Sequence, residues 1–146
     1  FFAAGTQTTV SLMTTVLSNV IKNPDIYQKI TEELNRFCKD NDGKPLHEAL
    51  NLNTLADLNY VSWCVSEGLR IEPPIPVSST QQVTETIRVG DYTLRDGDVL
   101  AVDMNRLHYN KEEWIEPSAY IPERFDPKSR YYLTPSGQKR HPMSYG

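Results

Sequence analysis

A run of small and hydroxyl-bearing residues near the start of the chain is the first segment that suggests chemistry, Ala4-Gly5-Thr6-Gln7-Thr8-Thr9. If this run is helical, Gly5 weakens the helix by roughly 1 kcal/mol relative to alanine. The neighbouring hydroxyl groups can bond back to the backbone and loosen the same turn. We expect either a local distortion that lets another group approach the backbone closely, or a small-residue helix contact whose threonines are satisfied by their own backbone.

Two charged motifs far apart in the chain are the second feature. Glu67 and Arg70 are three residues apart, which places them on one face of a helix. In the segment 122–127 (PERFDP), proline fixes the backbone and Phe125 can enter a core, which would hold Arg124 where it can join the first pair. On the surface such a pair contributes under ~1 kcal/mol. If it is buried, the guanidinium forks can hold a carboxylate and backbone carbonyls together. Both interpretations stay open.

The sequence shows no other catalytic arrangement. His47, His108 and His141 are isolated and have no metal-ligand spacing, so we expect surface or packing histidines. Cys38 and Cys64 are too few for a disulfide framework or a four-ligand zinc site, and we expect both to pack as small hydrophobic residues. No phosphate-binding glycine loop is present.

Composition limits the class of protein. The chain has 146 residues, with 15 Lys and Arg against 19 Asp and Glu, and a formal net charge of −4. Hydrophobic residues make up 38% and charged residues 23%, which excludes wholesale disorder and a membrane bundle. A nucleic-acid-binding protein would need a basic stripe that this mildly acidic chain lacks. The length fits one domain, or a piece of a larger one.

Helices are the main elements predicted to position these groups. Apolar residues recur at helical spacing in the first 22 residues, namely Val10, Met13, Leu17, Val20 and Ile21. Asn23 and Pro24 predict a stop and a new start, with Asn23 as the N-cap. The second helix has the apolar stripe Ile26, Ile30, Leu34 and Phe37, and the segment 41–43 ends it. A third long helix over 58–69 has the stripe Val61, Val65 and Leu69, and it ends at Glu72-Pro73-Pro74.

The second half of the chain is predicted to contain short strands and coil. Short strands joined by tight turns are predicted between Thr86 and Val102. Residues 111–146 are rich in proline and charge, so we predict an ordered coil there, anchored by Trp114, Tyr120 and Phe125. The fold class predicted from these elements is mainly α with a small antiparallel β region.

The ends of the chain carry their own expectations. The stretch 1–21 is long enough to span a membrane, but its threonines, Gln7 and Asn19 make it too polar for an ordinary transmembrane helix. No basic segment precedes it, which argues against a signal peptide. Both ends look cut, so we expect an internal fragment of a longer protein. The alternative is a complete small domain with frayed ends.

Four short motifs in a fixed order resemble one protein family. The run AGTQTT, then EGLR followed by PPIP, then PERF, then PMSYG resembles the C-terminal part of a cytochrome P-450, the haem-thiolate monooxygenase family. The resemblance covers essentially the whole chain and implies a partial cytochrome P-450 fold in a single partial domain. Its parts would be an I helix over 1–22, J helices over 24–50, a K helix over 58–70, a small β region over 77–102 and a coiled PERF and meander segment over 111–146.

The resemblance also implies roles for particular residues. Thr8 matches the threonine that helps to deliver protons during oxygen activation, and Gly5 and Gln7 match the oxygen pocket. Glu67, Arg70 and Arg124 match a structural triad that holds the haem-binding core and makes no bonds itself. Met143 and Gly146 match the opening of the haem-binding loop, whose pattern is Phe-x-x-Gly-x-Arg-x-Cys.

The chain departs from the family pattern at several points. The expected cysteine ligand of the iron lies beyond Gly146, so haem is expected in the complete protein but not tightly bound to this fragment. Gln7 stands where the family commonly has Asp or Glu, and Met143 stands where it usually has Phe. The segment 78–81 replaces an arginine that many relatives direct at a haem propionate. These changes are compatible with altered oxygen chemistry, such as isomerisation or dehydration.

The resemblance implies a haem-dependent monooxygenase that activates O₂ and oxidises an apolar small molecule, with electrons from a reductase or ferredoxin. It implies no nucleic acid and no metal other than haem iron. Attachment to the endoplasmic reticulum membrane is implied only if the chain is a microsomal eukaryotic member. The alternative function is a non-enzymatic helical structural or interaction module, a relic of the family. An Arg-x-Cys-x-Gly continuation of the reading frame would favour the enzyme.

Overall fold

The computed structural model describes residues 2–140, except for the side chain of Ala3. The helices in chain order are α1 Phe2–Lys22, α2 Pro24–Asp40, α3 Leu46–Ala49, α4 Asn59–Ile71 and α5 Met104–His108. Three 3₁₀ turns lie at Leu55–Asp57, Pro122–Phe125 and Arg130–Tyr132. The strands are β1 Gln81–Gln82, β2 Ile87–Val89, β3 Tyr92–Leu94 and β4 Val99–Leu100.

The strands form two small antiparallel ladders. Strand β1 pairs with β4, with Gln81 opposite Leu100. Strand β2 pairs with β3, with Arg88 opposite Thr93 at the centre of the hairpin. Helices and these short ladders together confirm the predicted class, mainly α with a small antiparallel β region.

The breaks between the first helices follow from local chemistry. Pro24 occupies the first turn of α2, where its missing N–H is no loss. Asn23 takes the N-cap position, but the predicted side-chain cap is not made, and its amide donates instead to the carbonyl of Asn19 in α1 at 2.6 Å. Helix α2 ends at Asn41, and Gly43 with φ +69° returns its N–H to the carbonyl of Cys38.

The core lies where α1, α2 and α4 meet. One buried cluster contains Val20, Ile26, Tyr60 and Cys64, and a second contains Phe37, Ala49 and Leu58. Helices α1 and α4 approach closely at Gly68. A Cβ added there would lie 2.6 Å from Cγ2 of Val16, so only glycine fits this crossing without a shift.

Two of the predicted apolar stripes are not buried in the described part of the chain. On α1, the exposed fractions of Val10, Met13, Leu17 and Ile21 lie between 55% and 76%, and Val20 alone of that stripe is buried. On α4, Val65 and Leu69 are exposed, and the buried face contains Tyr60, Cys64 and Glu67 instead. Periodicity identifies an apolar face of a helix but not which neighbour covers it, and α4 turns its charged residues inward.

The coiled segment after α5 is anchored by aromatic side chains. Trp114 is 1% exposed, and its Nε1–H donates to the carbonyl of Leu107 at 3.1 Å. The hydroxyl of Tyr120 donates to the carbonyl of Cys64 in α4 at 2.6 Å. The segment is therefore fastened to α4, as large aromatic residues predicted. Within residues 2–140, no helix has both the length and the hydropathy needed to cross a bilayer.

Candidate functional site

A buried charge cluster lies between α4 and the 3₁₀ turn Pro122–Phe125. Arg70 donates from Nε to Oε2 of Glu67 at 2.7 Å and from Nη2 to Oε1 at 2.9 Å. Arg124, 57 residues away in sequence, donates from Nε to Oε1 of the same carboxylate at 3.0 Å. The side chains of Glu67 and Arg124 are 0% exposed and that of Arg70 is 2% exposed. The structure thus brings together the three residues of the predicted triad, away from water.

Backbone groups complete the coordination of this cluster. The N–H of Ile121 donates to Oε1 of Glu67 at 2.9 Å. Arg70 donates to the carbonyl of His108 at 2.8 Å. Carbonyl oxygens also receive the remaining N–H groups of Arg124, namely those of Ile115, Glu116 at 2.6 Å and Ala119 at 3.2 Å. A buried guanidinium is tolerated only when its donors are matched. The matched donors fix the loop 108–121 against α4.

The charge balance of the cluster explains why so many carbonyls are needed. Burial lowers the pKa of Arg124, and the neighbouring carboxylate of Glu67 opposes that effect. Because a guanidinium does not lose its proton in proteins, Arg124 stays charged. One carboxylate faces two guanidinium groups here, so the carbonyl dipoles must offset the excess positive charge.

Sequence reasoning missed two parts of this cluster. Arg140 is 2% exposed and its guanidinium lies 4.2 Å from the ring centroid of Trp114. The same ring lies 5.1 Å from the guanidinium of Arg70 and 5.9 Å from that of Arg124. Trp114 was predicted only as an anchor, and it also serves as a platform for three cations. No local pattern in the sequence marks Arg140 as buried.

A second polar network surrounds the first and was also missed. Lys29 on α2 lies 2.6 Å from Oε1 of Glu123, and the hydroxyl of Tyr60 donates to the same oxygen at 3.1 Å. Burial raises the pKa of Glu123, but its hydrogen bonds and the charge of Lys29 outweigh this, so the net pKa is lowered. Burial, with the charge of Glu123, raises the pKa of Tyr60. Glu123 directly precedes Arg124, so this network fixes the 3₁₀ turn to α2.

The start of α4 is held by a carboxylate from another helix. Glu33 on α2 accepts the backbone N–H of Tyr60 at 2.7 Å and that of Val61 at 2.9 Å. These N–H groups have no partner within their own helix, and a negative charge is favoured at this end. A remote side chain therefore caps the helix that carries Glu67 and Arg70.

The first turns of α1 form a more open site. The hydroxyls of Thr8 and Thr9 donate to the carbonyls of Ala4 and Gly5, each at 2.7 Å. The helix is continuous through this segment, and Thr8 and Thr9 are satisfied by their own backbone, as the second interpretation expected. A Cβ added to Gly5 would meet no atom within 4 Å.

A cleft places two of the predicted residues together. Gln7 and Thr8 share a cavity of about 470 Å³ with three other residues, Ala4, Ser11 and Pro74. Pro74 follows α4, so this cleft lies where the start of α1 meets the end of the triad helix. Lower on α1, the hydroxyl of Thr15 donates to Oε2 of Glu72 at 2.7 Å. Helix α1 is therefore fixed to α4 by a polar bond as well as by the crossing at Gly68.

The other candidates have simpler surroundings. The side chain of His47 is exposed and His108 is buried, and His141 lies outside the described residues. Cys64 is 1% exposed, and burial raises the pKa of its thiol to about 12. Across residues 2–140, no group of three or more His, Cys, Asp or Glu side chains is arranged to hold a metal ion. Met143 and Gly146 lie outside the described residues.

Comparisons with known proteins identify the family of the chain. The family model for cytochrome P450 matches residues 1–145. Human cytochrome P450 4F8 is 28% identical over 145 residues, covering 99% of this chain and 26% of the relative. The probable cytochrome P450 6a14 of Drosophila melanogaster is 31% identical over 147 residues, covering 99% and 26% respectively. The chain thus spans about a quarter of the length of the curated relatives that it matches.

Solved structures show the same fold. A cyanobacterial protein, CYP120A1, has a TM-score of 0.80 and 20% identity over 97% of this chain and 29% of its own. A zebra fish cytochrome P450 has a TM-score of 0.75 and 22% identity over 94% of this chain and 31% of its own. At this identity the two structures speak for the fold alone. With a family model that matches nearly every residue, however, the chain belongs to the cytochrome P450 family.

Proposed function

We propose that this chain is part of a haem-dependent monooxygenase that uses O₂ and electrons from a reductase or ferredoxin to oxidise an apolar small molecule. Family membership supports the reaction class. Two relatives support the substrate class, because the cyanobacterial protein was solved with retinoic acid bound and the zebra fish protein with progesterone. Both ligands are largely apolar. The activity is that of the complete protein, of which this chain would supply one wall and the scaffold.

The observation that carries the proposal is the buried Glu67–Arg70–Arg124 cluster. Taking three charges out of water is costly unless they are paired and hydrogen-bonded, and here they are matched by one another and by backbone groups. Here they join α4 to the coiled segment that leads towards residues 141–146. In the proposed role the cluster makes no bonds with substrate. It fixes the two sides of the scaffold on which the cofactor loop would be mounted.

The described residues offer space for haem but no proposed ligand for its iron. The open space beside Gly5 leaves room for a large flat group against the first turns of α1. We do not propose either described cysteine as the iron ligand, because Cys64 is buried in the core cluster of Val20, Ile26 and Tyr60, and Cys38 packs against the second cluster. The cysteine ligand is therefore proposed to come from outside the described residues, in a loop that Met143 and Gly146 would begin. When bound, haem would supply the chemistry of oxygen activation.

Thr8 is the proposed catalytic residue, through its hydroxyl. In this structure that hydroxyl donates to the carbonyl of Ala4, so its oxygen can still accept a hydrogen bond from a neighbouring donor. Rotation of the hydroxyl would free its proton for donation into the cleft, at the cost of one local hydrogen bond. Gln7 lines the same cleft, but its amide does not ionise. Proton transfer is therefore proposed to depend on Thr8 and water, with Gln7 as a hydrogen-bonding partner.

The proposal is tested by the reduced-CO difference spectrum of the complete, haem-supplemented protein. We expect the band of thiolate-ligated haem. A folded protein that lacks this band would contradict the proposal and favour the non-enzymatic structural module.

The role of Thr8 is tested by substitution. We expect Thr8→Ala to keep the thiolate–haem band but to divert oxygen consumption into hydrogen peroxide, by about tenfold or more if the hydroxyl acts in proton delivery. Thr8→Ser keeps the hydroxyl and is expected to restore normal oxygen use. Thr14→Ala is the matched control, because Thr14 makes the same bond to a carbonyl four residues earlier, at 2.8 Å, away from the cleft. Equal peroxide release by the Thr8 and Thr14 variants would contradict the assignment.

A further inference from the structure

A third buried guanidinium, that of Arg140, belongs to none of the sequence motifs. It lies at the end of the described chain, just after a small turn. That turn is closed by the N–H of Thr134, which donates to the carbonyl of Gln138 at 2.8 Å, and by a β-bridge between Leu133 and Lys139. Although it lies near the end of the described residues, Arg140 is only 2% exposed.

Arg140 binds backbone from three separate segments. Its Nη2 donates to the carbonyls of Arg124 at 3.0 Å and Tyr131 at 2.9 Å. Its Nη1 donates to the carbonyl of Leu133 at 3.0 Å and, over a longer 3.4 Å, to that of Glu113. A planar fork of donors can serve several carbonyls at once, which a single ammonium group cannot do in the same geometry.

The guanidinium of Arg140 is also stacked on the triad's platform. Its distance of 4.2 Å from the ring centroid of Trp114 is shorter than those of Arg70 and Arg124 to the same ring. Three cations around one ring repel each other, and the carbonyl oxygens, the ring faces and Glu67 help to offset that repulsion. The cost of burying a third guanidinium at this ring is one reason to assign a positioning role to Arg140.

Arg140 also fixes the wall of an apolar cleft. The carbonyls that it binds belong to Arg124 and Tyr131, and the residues that follow them, Phe125 and Tyr132, line the cleft. This cavity of about 420 Å³ is lined by Ser66, Leu69, Arg70, Phe125 and Tyr132. The wall of the cleft and the end of the described chain are therefore held by the same side chain.

We propose that Arg140 is a positioning residue that fixes this cleft wall and the direction of the chain into residues 141–146, relative to the buried Glu67–Arg70–Arg124 cluster. The inference rests on the proposed function, in which residues 141–146 begin the haem-binding loop. Arg140 would touch neither substrate nor cofactor. It would act through the backbone that it holds, and so influence how well the loop presents its cysteine thiolate.

The test uses the complete protein with Arg140→Lys and Arg140→Met. Lysine keeps length and charge, so Arg140→Lys is expected to fold even if Arg140→Met does not. We expect amide hydrogen exchange in residues 131–140 to accelerate about tenfold or more in Arg140→Lys, because the stacked fork is lost. We also expect a smaller fraction of the bound haem to show the thiolate band. Arg130→Met is the control, because Arg130 is exposed beside the ring of Tyr131, and it should change exchange by less than about twofold.

Two outcomes would overturn the assignment of Arg140. One is unchanged exchange in residues 131–140. The other is faster exchange with an unchanged thiolate fraction, which would leave Arg140 a purely structural role. These failures differ from failure of the proposed function, which would be absence of the thiolate band from the wild-type protein itself.

Discussion

The triad cluster and the start of α1 are built in opposite ways. Around Glu67 the side chains are fully buried, and partners come from α4, the loop 108–121 and the 3₁₀ turn at 122–125. At the start of α1, the bonds of Thr8 and Thr9 within residues 2–140 go to their own helix, and the described residues leave the space beside Gly5 open. The first region is fixed by many long-range bonds, whereas the second is held by local bonds and leaves its groups accessible.

This difference separates a scaffold from a reactive surface. A residue whose bonds all go to distant backbone cannot move without cost, so it is suited to hold other elements in place. A hydroxyl with one local hydrogen bond can exchange that partner for a ligand or water at small cost. The contrast therefore supports a structural role for Arg124 and a chemical role for Thr8.

Arg70→Ala should have the largest effect, because it removes one partner of a buried charge cluster. We expect a loss of about 3–5 kcal/mol in the free energy of unfolding of the complete protein, since Oε2 of Glu67 and the carbonyl of His108 lose the donor that Arg70 provides. Arg130→Ala is the exposed control and should cost under ~0.5 kcal/mol. Denaturant unfolding measures both. A loss under ~0.5 kcal/mol for Arg70→Ala would show that the cluster is not the scaffold.

Replacing Gly68 or Gly5 with alanine tests the difference between the tight helix crossing and the open start of α1. Gly68→Ala places a Cβ 2.6 Å from Cγ2 of Val16, a stiff β-branched side chain, so we expect a loss of about 1–3 kcal/mol from overpacking. In the haem-free protein, the Cβ of Gly5→Ala meets no described atom and the variant gains helix propensity, so we expect a gain of up to about 1 kcal/mol. Thermal unfolding of both variants checks the signs. Equal effects would contradict the contrast between a tight crossing and an open surface.

The smallest expected effect concerns pH. The pKa of Glu123 is lowered in the folded state, because the effect of burial is outweighed by Lys29 and other hydrogen bonds. Stability from this carboxylate is fully present above its unfolded pKa of about 4.3 and is lost as the pH falls through the lower folded pKa. We expect Lys29→Met to remove up to ~1 kcal/mol of stability near neutral pH and to flatten the acid dependence. Lys44→Met, from an exposed pair, should leave the acid profile unchanged.

Local rules predicted much of the fold. Proline and glycine positions marked the break at Pro24 and the end of α2 at Asn41, where the structure has them. The apolar stripes of α1 and α4 were assigned less well, because periodicity does not reveal which neighbour covers a face. Residues such as Leu17 and Leu69 are exposed in the described chain, although their spacing suits a core.

The candidate site divides in the same way. Glu67, Arg70 and Arg124 were singled out because each lies in a short motif, and the structure brings them together. Glu33 and Arg140 lie in no motif, and their partners are backbone groups from 7 to 28 residues away, so no local signal could identify them. The sequence could not predict the contacts that single polar side chains make with distant backbone groups.

The central claim is that Glu67 and Arg124 share one buried network despite their separation in sequence. A double-mutant cycle of Glu67→Gln and Arg124→Met in the complete protein, followed by denaturant unfolding, tests it most directly. The account predicts a coupling energy of about 1–3 kcal/mol between the two positions. Free energies that add within about 0.5 kcal/mol would contradict it.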